Sequence, residues 1–122
     1  MYETHIDTDV TVQLSDCRRE DAQAVFDALD RVYELEDMSA PGPQAATAPA
    51  TTVWMATFDT AAGRHEASRP VPLAAMVGAV LTGGYHAVEE VEKTLAASFA
   101  IRSQESVSGD QETEARLLLA SR

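Results

Sequence analysis

Thr4-His-Ile-Asp-Thr-Asp-Val-Thr-Val-Gln-Leu14 alternates with a strict two-residue period. Ile6, Thr8, Val10, Val12 and Leu14 fall on one side of an extended chain, and His5, Asp7, Asp9, Thr11 and Gln13 on the other. Such alternation predicts a half-buried β-strand with a core face and a polar face. We place this strand in the middle of one small antiparallel sheet.

Downstream of it, Ser15–Arg19 reads as a polar connection and Glu20–Leu35 as a helix. Ala22, Val25, Phe26, Leu29, Val32 and Tyr33 recur at three- and four-residue spacing and form one apolar stripe. Glu20 and Asp21 suit the positive end of that helix. Residues 37–51 carry Pro and Ala without periodicity, which predicts a flexible loop. Thr52–Thr60 reads as a second strand, followed by a turn at Ala61–Arg64. His65–Pro72 is ambiguous between an edge segment and a loop, because Pro70 and Pro72 cannot donate to a ladder. Leu73–Leu81 reads as a third strand, with Gly78 as a bulge or close-approach position. Tyr85–Ser98 follows as a second helix, on the stripe Val88, Val91, Leu95 and Phe99. Phe99–Val107 and Gln111–Ala120 are two further strands around the turn signal Ser108-Gly109-Asp110.

The expected order β-α-β-β-α-β-β resembles the ferredoxin-like superfold. The resemblance implies an α+β domain over 1–122, with a split β-α-β-β-α-β antiparallel sheet and two helices on one face. Right-handed crossovers would put the first strand between the third and fourth, and an added C-terminal β-strand would extend the sheet beyond the fourth. A superfold does not fix a function.

Charge narrows the function classes. The 122 residues carry a formal charge of −11. Such a surface repels phosphate backbones and anionic headgroups, so neither nucleic acid nor membrane is an expected partner. No apolar run approaches the ~20 residues of a membrane span. The one cysteine excludes an internal disulfide, and the N-terminus has neither a basic start nor an apolar core. A cytoplasmic location is therefore expected.

Chemistry-bearing residues are sparse, and no cofactor is expected. His5, Asp7 and Asp9 alternate about 7 Å apart on one strand face, and would hold a metal only if another strand supplied a ligand. A solvated face is the simpler reading. Cys17 lies beside Arg18 and Arg19, which favour a thiolate, but no nucleophile signature surrounds it. His65 and His86 have no metal spacing. Gly83-Gly84 precedes a helix start, where free amides attract anions, but Glu89, Glu90 and Glu92 follow. Glu105, Asp110, Glu112 and Glu114 form an acidic hairpin without the ordered spacing of a calcium loop.

One feature stands above this background. The second strand has Val53 and Met55 on one face and Trp54 and Phe58 on the other. The third has Met76 and Val80 against Val77, Ala79 and Leu81. Both strands are apolar on both faces, so helices on one side would leave apolar surface on the other. The expectation is a non-enzymatic interaction or ligand-binding module that forms a homodimer, or binds another protein, through a face built from Val53, Trp54, Met55, Phe58, Met76 and Val80. The alternation leaves open which set faces outward. The alternative is a small enzyme of the dimeric α+β barrel kind, with His5 or Asp7 as general base.

Overall fold

A computed structural model describes residues 8–15, 17–39, 53–61, 69–109 and 112–122. The elements are β1 (Asp9–Ser15), α1 (Arg19–Asp30), β2 (Glu34–Ser39), β3 (Val53–Asp59), β4 (Val77–Gly83), α2 (Tyr85–Ser98), β5 (Phe99–Ser108) and β6 (Thr113–Ser121). The strands form one antiparallel sheet in the order β2-β3-β1-β4-β6-β5. The α+β class and the interior position of β1 agree with the alternation read from its sequence.

The strand order differs from the ferredoxin-like expectation in two places. First, β2 occupies a stretch assigned from sequence partly to the end of the first helix and partly to a loop. The helix stops at Asp30, and Arg31 is its C-cap at φ −69°, ψ −27°. Val32 and Tyr33 continue the apolar stripe but are buried in the turn that follows. The strand itself, Glu34-Leu-Glu-Asp-Met-Ser39, is shifted in register between Leu35 and Asp37, and this irregularity erases the two-residue period. Its acidic residues suit an edge, where charge discourages pairing with a further strand. Second, β1 lies between the strands expected as second and third (β3 and β4) and not between those expected as third and fourth, and the C-terminal strand inserts between β4 and β5 instead of extending the sheet.

Together these differences make the chain a tandem of two β-α-β-β units. In each unit the last strand lies between the first two, in the orders β1-β3-β2 and β4-β6-β5. Val10 opposes Phe58 in the first unit, and Val77 opposes Leu119 in the second. The buried helix positions Ala22, Val25 and Leu29 recur as Val88, Val91 and Leu95. Both outer strands shift register at matching places, between Leu35 and Asp37 and between Ile101 and Ser103. The units meet where β1 and β4 pair antiparallel.

One face of the sheet makes the core with both helices. Val10, Val12, Leu14, Ala56, Phe58, Val77, Ala79, Leu81, Ala115, Leu117 and Leu119 are buried in one cluster with the apolar stripes of α1 and α2. Phe26 and Phe58 set their rings 6.3 Å apart at 42°. The Tyr33 hydroxyl lies 2.9 Å from the Glu90 carbonyl, to which it donates, and 2.7 Å from Thr94 Oγ1. These contacts fasten the turn after α1 to α2. Burial raises the Tyr33 pKa, against the opposing effect of the Thr94 hydrogen bond.

Two local features differ from expectation. Asp21 is only 4% exposed. It accepts hydrogen bonds from the Ala74 and Ala75 amides, at 2.9 and 3.1 Å. It therefore secures the connection before β4, which begins at Val77 and not Leu73. The close-approach glycine is Gly83, where a Cβ would meet the Asp9 carbonyl oxygen at 2.5 Å. At Gly78 the nearest atom is the Ser15 hydroxyl at 3.4 Å, and no register shift occurs there.

Candidate functional site

The ladders sort every strand residue onto one face of the sheet. Val10, Val12 and Leu14 face the helices, so their partners Phe58, Ala56 and Trp54 do too. Val53, Met55, Thr57 and Asp59 share the opposite face with Asp9, Thr11, Gln13 and Ser15. Gly78, Val80 and Thr82 join them through β4, and Glu114, Arg116 and Leu118 through β6. Among the described residues, neither helix covers this second face.

The uncovered face is divided. Toward one end of the sheet lie Val53, Met55, Gly78, Val80, Leu118, Ala120 and Ala100, interrupted by Gln13, Ser15 and Arg116. Met55 is 38% exposed, and Met76, just before β4, is 53% exposed. Toward the other end lie Thr11, Thr57, Thr82 and Glu114, with Asp9 and Asp59 beyond. Thr11 and Thr57 join hydroxyls at 3.2 Å. Of the six residues singled out from sequence, Val53, Met55 and Val80 share this face. Phe58 belongs to the core instead, and Trp54 lies half-buried on the helix side, with the Arg19 guanidinium 6.0 Å from its ring centre. Phe58 therefore contributes nothing to an open surface.

The acidic end brings together residues from three strands. One carboxylate oxygen from each of Asp9, Glu36 and Asp59 lies within 4.8 Å of the others. Thr8 Oγ1 and the Ala61 amide each donate to Asp59 Oδ1 at 2.9 Å. Asp9 Oδ1 is buried without a hydrogen bond. The set offers hard oxygen donors suited to a cation such as calcium, but three residues fall short of the six to eight oxygens that calcium takes. His5, Asp7 and His65 lie outside the described residues, as do residues 40–51 of the loop expected at 37–51.

A concavity opens on the helix side, beneath the far end of β5. It has a volume of about 310 Å³ and is lined by Tyr85, Val88, Glu89, Glu92, Gln104, Ser106, Ser108, Thr113 and Ala115. β5 spans 10 residues against 6 in its counterpart β2, so its C-terminal half extends the sheet beside α2. The helix-facing positions there are Gln104, Ser106 and Ser108, where a covered strand would carry apolar side chains. Partial burial raises the Glu92 pKa; a hydrogen bond with Gln104 opposes the shift and the nearby Glu89 charge adds to it. The Tyr85 hydroxyl donates to the Gly109 carbonyl and closes one end.

Sequence reasoning missed this cleft because it followed only apolar stripes. Tyr85, Glu89 and Glu92 have helical spacing, and Gln104, Ser106 and Ser108 have strand spacing. These two polar stripes carry the signal. Cys17 is half-buried against the edge of the core. His86 is exposed at the start of α2 and does not line the cleft.

No helix among the described residues is long and apolar enough to cross a membrane. No family model, curated protein or solved structure matches the chain.

Proposed function

We propose that this protein is a non-enzymatic interaction module that self-associates through the uncovered face of its sheet. The observation that carries the reading is the placement of both helices on one side, which leaves Val53, Met55, Val80 and Leu118 on the other. Size supports a second copy as the occupant. Five inter-strand gaps of ~4.8 Å and strands of about seven residues at ~3.3 Å give a face of roughly 550 Å². Two such faces bury at most about 1,100 Å², the size of a weak or transient complex. The mixture of apolar residues with Gln13, Ser15 and Arg116 suits a reversible interface better than an obligate one.

Light scattering at increasing concentration tests this reading. The unmodified chain is expected to approach twice its 13.1 kDa mass, with a dissociation constant of about 1 μM, equivalent to ~8 kcal/mol. Met55→Glu should give a folded monomer, because a charge placed between two apolar faces is desolvated without a partner. A monomeric unmodified protein at ~100 μM, a hundredfold above that constant, would refute self-association.

The cleft beside α2 favours a second reading, in which the module also binds a small ligand. A cleft that holds a carboxyl with a perturbed pKa is a candidate binding site.

A further inference from the structure

We infer that the trough between α2 and the β5–β6 hairpin binds an aliphatic diamine. The inference specifies the ligand of the second reading above and does not depend on dimerisation, because the trough opens on the helix side of the sheet.

The walls and floor differ in chemistry. Tyr85, Glu89 and Glu92 project from one stripe of α2, and Gln104, Ser106 and Ser108 from alternate positions of β5. Val88 and Ala115 supply apolar floor, with the Thr113 hydroxyl beside them. Among the described residues, the only charged side chains lining the trough are the two carboxylates. They repel an anion and attract a cation. The apolar floor suits methylene groups, and the hydroxyl and amide wall accepts hydrogen bonds from ammonium groups.

Dimensions agree with a short chain. Tyr85 to Glu92 spans about 10 Å of helix, and Gln104 to Ser108 spans about 13 Å of strand. A metal ion is a poorer fit. Among the described residues, the one group of three or more possible metal ligands is Asp9, Glu36 and Asp59, and none of these lines the trough. Burial raises the Glu92 pKa above that of a free glutamate. An ammonium group beside it would reverse that tendency, so affinity should fall as pH drops through the raised pKa. The Glu89 carboxylate faces the same space. The Tyr85 hydroxyl is already committed to Gly109.

Titration of the full chain with putrescine at low ionic strength, followed by amide NMR, tests the inference. Saturable shifts are expected at residues 85–92, 104–108 and 113–115. Glu92→Gln should weaken binding roughly tenfold or more, and Ser106→Leu should block the trough sterically. Asp9→Asn, at the distant acidic corner, should leave binding unchanged. Circular dichroism establishes that each variant is folded. Absence of saturation by ~10 mM, shifts spread over the acidic surface, or the same pattern with equimolar magnesium would overturn the inference. Light scattering on the same samples reports self-association separately, so the two proposals fail independently.

Discussion

Gln13 and Val80 stand opposite each other on β1 and β4, at the centre about which the two β-α-β-β units are related. A half-turn through this pair carries Val10 toward Val77 and Leu14 toward Leu81. The same turn brings the two helices onto one side together, which leaves Gln13 and Val80 at the middle of the uncovered face. Val80→Glu should therefore preserve the fold while disrupting association. Phe58→Glu places a carboxylate in the core, where Phe58 is fully buried. Its cost is expected to reach about 5 kcal/mol or more, comparable with the whole stability of a small domain. Circular dichroism should show a folded Val80→Glu and an unfolded Phe58→Glu.

The two glycines of β4 should respond oppositely to alanine. At Gly83 the new methyl meets the Asp9 backbone carbonyl, which cannot move without breaking the ladder. Gly83→Ala should lose about 1–3 kcal/mol in urea denaturation. At Gly78 the nearest neighbour is the Ser15 side chain. Gly78→Ala should stay within about 1 kcal/mol of the parent and can gain from reduced chain entropy.

Asp21 carries a structural task. Its two carboxylate oxygens satisfy the amides of Ala74 and Ala75. Asp21→Ala should destabilise the protein by about 1–3 kcal/mol, because both amides lose their acceptor. Hydrogen exchange at residues 74 and 75 should accelerate more than exchange in the centre of β4. Equal acceleration throughout would show that Asp21 supports the whole fold and not this connection.

Glu92 makes stability depend on pH. Its folded pKa is raised by burial, so the folded protein binds this proton more tightly than the unfolded chain does. The associated stabilisation is complete below the unfolded pKa and is lost as pH rises through the folded value. Glu92→Gln removes this dependence, so the variant should be the more stable one at neutral pH. The gap should close toward acid pH. Solvent screening limits the effect to on the order of a few tenths of a kcal/mol. Melting temperatures measured from pH 4 to 8 would show it as converging curves.

Cys17 sits in the connection between β1 and α1, half-buried against the core. Cys17→Ser should change the melting temperature by only a few degrees, in keeping with about 0.5–1 kcal/mol of lost apolar contact. Ligand binding in the α2 trough should be unchanged. A loss of binding with retained fold would assign the thiol a functional role.

The sequence by itself determined the elements whose periodicity is local. Val10, Val12 and Leu14 declare a strand face because the backbone alternates regardless of what pairs with it. The sequence predicts α2 over Tyr85–Ser98, the span observed, because its stripe is bounded by Gly84 and by the switch to a strand at Phe99. β2 was hidden, because a register shift and three acidic residues remove the alternation. Its existence depends on β3 offering an edge. Tertiary structure alone decided which strands are neighbours, since pairing is a long-range choice that many equally amphipathic strands satisfy locally. That choice set the outward side of β3: Val12 faces the helices, its partner Ala56 must do the same, and Met55 is turned away. The acidic corner and the α2 trough likewise arise only from juxtaposition. Asp9, Glu36 and Asp59 come from three strands far apart in the chain and meet because those strands lie side by side, whereas Glu92 on α2 meets Gln104 on β5 because the helix packs beside that strand.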